Sequence, residues 1–233
     1  MRSDWPVFPQ GSRIQGDGMN TRPKATLKRI SLGIVLCLAS GWTDSHGGLT
    51  QAFRGSPPEI AGRPSPPPLV FIANGGQIDD RAAYYILGRD KTVFFGRDGV
   101  SIALSESPTA RKSGRWAVKL AFDGAVPAAG PVGDGLTPAV VSYFKGRPEE
   151  WRTGVPTFAR LAYRNLWPGI DLVYSGDSDR LKYELIIRPG ADPATIRFTY
   201  TGVTDVSLDK DGRLEVTTPL GSFLDDVPAA FQE

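Results

Sequence analysis

From residue 69 onward, apolar side chains recur at every second position or in short runs, while apolar spacings of three and four are scarce. A period of two is the signature of strands with one buried face. Residues 69–73 form a short apolar run closed by Asn74-Gly75-Gly76. Residues 82–87 and 93–95 flank the polar turn Gly88-Arg89-Asp90-Lys91, and 100–104 can pair back across Gly96-Arg97-Asp98-Gly99. In 115–122, Trp116, Val118, Leu120 and Phe122 alternate with Ala117, Lys119 and Ala121. Residues 123–138 predict a long loop. The central stretch 139–176 holds three apolar-aromatic segments (140–144, 155–163 and 170–174) between turn clusters, with two of the five Trp and three of the seven Tyr. That pattern predicts a β-meander packed through its aromatic rings. After it, Leu181, Tyr183, Leu185 and Ile187 alternate with Lys182, Glu184, Ile186 and Arg188. A Pro-Gly turn then leads into Ile196, Phe198 and Tyr200, and Val206/Leu208 and Leu214/Val216 flank the hairpin turn Asp209-Lys210-Asp211-Gly212. A single helical turn is expected at 149–152, after Pro148. The prediction is an all-β, antiparallel, β-sandwich-like domain with long loops over residues 69–233.

Composition agrees with that class. Twenty-seven Gly and twenty Pro in 233 residues are many punctuators for a helical protein, and 40% hydrophobic content is too rich for wholesale disorder. The N-terminal part has a different character. Residues 1–18 lack periodicity and are expected to be an unstructured extension, with Met19 as the true start. Four positive charges and about ten mostly apolar residues follow, the order of a signal peptide, and the region 19–52 is assigned to it with cleavage after Ala39 or Ala52. The run is short of the roughly 20 residues that span a bilayer, so the membrane is met only during export. Residues 53–68 carry six prolines and predict an extended linker. The net charge of +2 belongs to residues 1–52, since the remainder carries 21 basic and 22 acidic side chains. Nucleic acid is therefore not an expected partner.

Candidate chemistry is sparse. His46 is the sole histidine and Cys37 the sole cysteine, both within the leader region, so histidine-assisted nucleophiles and zinc sites have too few residues. Glu149-Glu150, Asp177/Asp179 and Asp225-Asp226 could in principle serve a two-carboxylate glycosidase, yet each sits in a turn-like polar cluster. Asp209-x-Asp211-Gly212 resembles the start of a calcium loop, but its twelfth position is Leu220 rather than a bidentate acid. No Gly-rich loop joins a strand to a helix. The expectation is no catalytic residue, no metal and no cofactor. What remains is aromatic: Trp151, Tyr163, Trp167 and Tyr174 could form a stacking platform for polysaccharide or anchor a protein partner. Packing in a disulfide-free core is the competing role, and Arg152, Arg160 and Arg164 stand among them to stack or to pair with acids.

The segments FIANGGQID (71–79), VSYFKGRPEEWRTGVPTFARLAYRNLWPGIDLVYSG (141–176), LKYELIIRPGADPATIRF (181–198) and VPAAFQE at the end resemble a domain of unknown function. That domain stands ahead of SBBP-type β-propeller repeats in bacterial exported and cell-surface proteins. Trp167 occupies a position where that family has Tyr or another aromatic. The resemblance implies a secreted or cell-surface all-β module with no catalytic residues to carry over. Its expected neighbour is a β-propeller or another surface domain. In relatives further strands follow the terminal element, so a C-terminal truncation is expected here. The functional expectation is a non-catalytic structural or adhesive module, with a carbohydrate-binding module and, more remotely, a glycoside hydrolase as alternatives.

Overall fold

The computed structural model describes residues 69–88, 91–105, 115–126, 130–177 and 180–230, together with the backbone of 14–15 and 34–37. The Pro-rich linker and most of the extension and leader region lie outside the described residues; within the extension, expected to be unstructured, Ile14–Gln15 is a short strand paired with Thr199 and Tyr200. Fifteen strands are present among those described: β1 (Ile14–Gln15), β2 (Ile34–Cys37), β3 (Phe71–Ala73), β4 (Ala82–Leu87), β5 (Lys91–Gly96), β6 (Gly99–Ser105), β7 (Arg115–Phe122), β8 (Pro131–Tyr143), β9 (Arg152–Trp167), β10 (Ile170–Asp177), β11 (Arg180–Ile187), β12 (Phe198–Thr201), β13 (Asp205–Leu208), β14 (Leu214–Thr218) and β15 (Gly221–Asp225). The described helical pieces are two single 3-10 turns, Pro148–Glu150 and Pro193–Thr195. No helix among the described residues is long and apolar enough to cross a membrane.

All pairing is antiparallel, in one curled sheet of order β1-β12-β7-β6-β5-β4-β3-β9-β10-β11-β2-β15-β14-β13, with β8 on the far side of β9. The curl brings two meanders face to face. Val93, Phe95, Val100, Ile102, Val118, Leu120 and Phe122 from β5–β7 close the core with Leu161, Tyr163, Leu172, Tyr174, Leu181, Tyr183, Leu185 and Ile187 from β9–β11. Each strand contributes alternate residues, as the pleat requires. A second, smaller cluster (Ile72, Ala82, Tyr85, Phe94 and Val155) lies on the reverse face, under Val141 and Tyr143 of β8.

The all-β antiparallel class predicted from the pattern holds, and most strands fall where the period of two placed them. Two segments differ. Residues 131–138 are strand rather than loop, because β9 runs for sixteen residues and pairs along its length with β8. Gly133, Gly135 and Pro138 hide the alternation there, and an edge strand tolerates such residues where its register shifts, as it does between Leu136 and Val140. The strand β15 escaped prediction because only one of its two inward residues, Phe223, is apolar, the other being the acid Asp225. Asp209 and Asp211 form a hairpin turn. Asp209 Oδ1 accepts from the Asp211 and Arg213 amides at 2.8 and 2.9 Å, its Oδ2 takes the Arg213 Nε at 2.8 Å, and Gly212 supplies φ +81°.

Candidate functional site

The aromatic residues singled out from the sequence do not form one surface. Tyr163, Trp167 and Tyr174 are buried, and Trp151 is 41% exposed. The three inner rings belong to a linked set of edge-to-face contacts. Tyr174 packs on Phe95 (5.1 Å between centroids) and Tyr163 (6.1 Å), Tyr163 on Phe122 (5.1 Å), and Trp167 on Phe198 (5.5 Å). Buried Trp and Tyr need partners for their polar ends. Trp167 Nε1 donates to the Asp123 carbonyl at 2.9 Å and Tyr163 Oη to that of Gly96 at 2.9 Å, each pinning one meander to the other. A stacking platform from these three is excluded by their position.

Trp151 stands at the turn between β8 and β9. Pro148 opens the 3-10 turn, and Glu150 Oε2 accepts from the Arg147 amide at 3.0 Å. Trp151 meets the 67% exposed Phe144 edge to face, at 5.1 Å and 87°. Two perpendicular rings offer no shared flat face. Behind them, Arg152 Nε donates to the Gly75 carbonyl at 3.2 Å, tying the tip to the turn after β3. That turn is locked by its own side chains. Asn74 Nδ2 donates to the carbonyls of Asp79 (2.9 Å) and Ala82 (2.7 Å), while Gln77 Nε2 donates to the Ala73 carbonyl (2.6 Å) and to Tyr85 Oη (3.1 Å).

A third lock holds the β9–β10 hairpin. The Asp171 carboxylate, 3% exposed, accepts from Arg164 Nη1 (3.1 Å), Arg188 Nη2 (2.9 Å) and the Asn165 amide (2.7 Å). Asn165 adopts φ +50°, tolerable for Asn, and its Oδ1 accepts from the Gly169 amide at 2.8 Å. Of the three arginines considered with the aromatics, Arg164 pairs with this acid and Arg160 with Asp134 at 2.8 Å. Asp192 caps the next turn by accepting from the Ala194 amide at 3.0 Å.

A further polar centre lies inside the molecule, around an acid whose sequence neighbourhood reads as a turn. Asp225 Oδ2 accepts from Tyr183 Oη at 3.2 Å, while Asp225 Oδ1 and Tyr174 Oη are buried without a hydrogen-bond partner. Burial pushes the Asp225 carboxyl up to about 7, against the Tyr183 hydrogen bond and with help from the Asp226 charge. Burial likewise raises Tyr174, Tyr183 and Tyr200. Asp226 is half-buried beside it, so the Asp225-Asp226 pair does not present two acids to one cleft. Glu150 is engaged in its own turn, and Asp177 lies 3.9 Å from Lys182. Among the described residues no group of three or more His, Cys, Asp or Glu could hold a metal ion.

Outside the core, several apolar side chains of β8 face solvent. Val132, Leu136 and Val140 are exposed, Leu136 to 70%. Together with Phe144 and Trp151 they make an apolar rim on a strand that pairs, among the described residues, with β9 on one side only.

An antiparallel β module with internally locked turns is the class these features define. The chain belongs to the DUF7948 family, a domain of unknown function whose profile matches residues 71–233. No characterised relative and no solved structure matches the chain.

Proposed function

We propose that the chain is a non-catalytic structural module, exported by its N-terminal leader, that packs against a neighbouring surface domain through the rim of β8 and the Phe144/Trp151 tip. The observation that carries this reading is where the motif side chains go. Asn74, Gln77, Arg152, Asp171, Arg188 and Asp192 are spent on turns and strand junctions. The segments that mark the family thus support a shape. What faces outward is an apolar edge, the kind of surface that monomers avoid unless something covers it. A β-propeller repeat is the neighbour that the family resemblance suggests.

Separated from its neighbour, the full chain is expected to self-associate through this rim. Sedimentation velocity across a concentration series should show association in the wild type and a monomer in the Leu136→Asp/Val140→Asp variant, at unchanged thermal midpoint. A wild type that stays monomeric at every concentration removes the support. Carbohydrate binding is the second reading, favoured only by the exposure of Trp151. Affinity electrophoresis in neutral and acidic polysaccharides separates the two: retardation abolished by Trp151→Ala would replace the scaffold reading with the sugar one.

A further inference from the structure

The strand β2 sits between β11 and β15. Its register is Ile34 opposite Tyr183, Val35 opposite Lys182, Leu36 opposite Leu181 and Cys37 opposite Arg180, and Leu36 also faces Asp225 across the other edge. These four residues are the middle of the apolar run assigned above to the signal peptide. A leader cut after Ala39 or Ala52 takes β2 with it, and the sheet is then interrupted between β11 and β15. Two edges would face each other across the width of one missing strand, each with unpaired backbone donors and acceptors. The floor of that position is apolar and prepared: Leu181 and Tyr183 are buried on β11, Phe223 on β15. The buried polar atoms that lack partners, Asp225 Oδ1 and Tyr174 Oη, belong to the same centre.

We infer that the gap between β11 and β15 is a strand-acceptor site. The chain's own Ile34–Cys37 fills it before processing, and an extended apolar segment of another polypeptide fills it afterwards, antiparallel to β11. Strand addition of this kind draws affinity from main-chain hydrogen bonds and specificity from alternate side-chain pockets. It therefore requires a partner with small or branched apolar residues at every second position and no proline. The inference rests on the export reading, and its test keeps the two apart.

Cys37 is the only cysteine and is the register partner of Arg180. In the full chain, mild oxidation of Arg180→Cys should form an intramolecular disulfide under native conditions. Leu208→Cys, at the exposed end of β13, should not form one. Failure of the Arg180→Cys disulfide overturns the pairing. Acceptance of a foreign strand is read in the full chain carrying Val35→Pro, Cys37→Ser and Arg180→Cys, offered a synthetic peptide of residues 30–40. Proline cannot donate to the ladder, so the chain's own strand is evicted. Under the same mild oxidation, the peptide's Cys37 thiol should be joined to the introduced thiol as a mixed disulfide about tenfold faster than that of the same peptide bearing Val35→Pro. If the variant folds only when the peptide is added, the site is an acceptor all the more. Equal capture of both peptides, or no rescue of an unfolded variant, overturns the proposal. N-terminal sequencing of the chain recovered after export reads the other premise. A start at residue 40 or 53 leaves the site open, whereas a start at Met1 or Met19 means that the chain's own strand is permanent and the partner step is wrong.

Discussion

Asp171 shows what one side chain does here. A carboxylate this deeply buried is tolerable only when its lone pairs are taken, and three donors take them. Both guanidinium groups are more than half exposed, so screening weakens their share, and the Asn165 amide is the contact that fixes the turn. Replacing Asp171 by Ala should cost about 2–3 kcal/mol in urea unfolding through the stranded amide, and Asp171→Asn should recover part of that. Asp225 behaves oppositely. Its carboxyl is raised to about 7 in the folded chain, above an unfolded value near 3.9. Between those values the unfolded chain gives up the proton first, so stability is fully present below about pH 4 and is lost as pH rises toward and through 7. The loss amounts to about 2–4 kcal/mol by linkage. The tyrosines that share this centre, Tyr174, Tyr183 and Tyr200, are raised by burial and stay protonated over that range. Urea midpoints from pH 4 to 8 should fall for the wild type, and Asp225→Asn should flatten the slope and be the more stable protein at pH 8.

Among elements, β8 and β9 carry the least obvious sequence and the most exposed surface. Gly133 is where they fit together. Its amide donates to Tyr84 Oη at 3.0 Å, and a Cβ there would lie 2.6 Å from the Phe158 ring. Gly133→Ala should therefore displace Phe158 from Tyr84, which it meets edge to face at 5.7 Å. The expected cost is about 1–3 kcal/mol, and it should come with increased protease cutting within 131–143. Strands with a buried, alternating face (β7, β11) were legible because the pleat writes itself into the pattern. The strand β8 was not, since its pairing is dictated by β9 and its outward face is apolar where alternation expects polarity. The same blindness applied to the aromatics. Trp151 and Trp167 look alike in sequence, each beside a turn and near an arginine, and only the Asn165 bulge, which sends both Leu166 and Trp167 inward, tells them apart.

Over the whole molecule, order in the sheet departs from order in the chain: β3 pairs with β9, and β12 returns to β7. Such pairings close long loops before any contact rewards them, so folding should be slow for the size. Stopped-flow refolding is expected on the millisecond-to-second scale, with Phe122→Ala slowing it, since that ring joins β7 to Tyr163, Trp167 and Phe198. A sub-millisecond phase that recovers all native fluorescence would contradict this topology-limited picture.

The separation of Trp151 from Trp167 also makes the protein its own reporter. One indole is wet and stands against Phe144. The other is dry, donating its N–H to a main-chain carbonyl 2.9 Å away. With Trp5, Trp42 and Trp116 changed to Phe, the emission should divide into a red component that iodide quenches and a blue component that it does not reach. Contact with a neighbouring domain would dim the access of quencher to the first, and melting would shift the second, so that docking and unfolding can be followed in one cuvette as two colours.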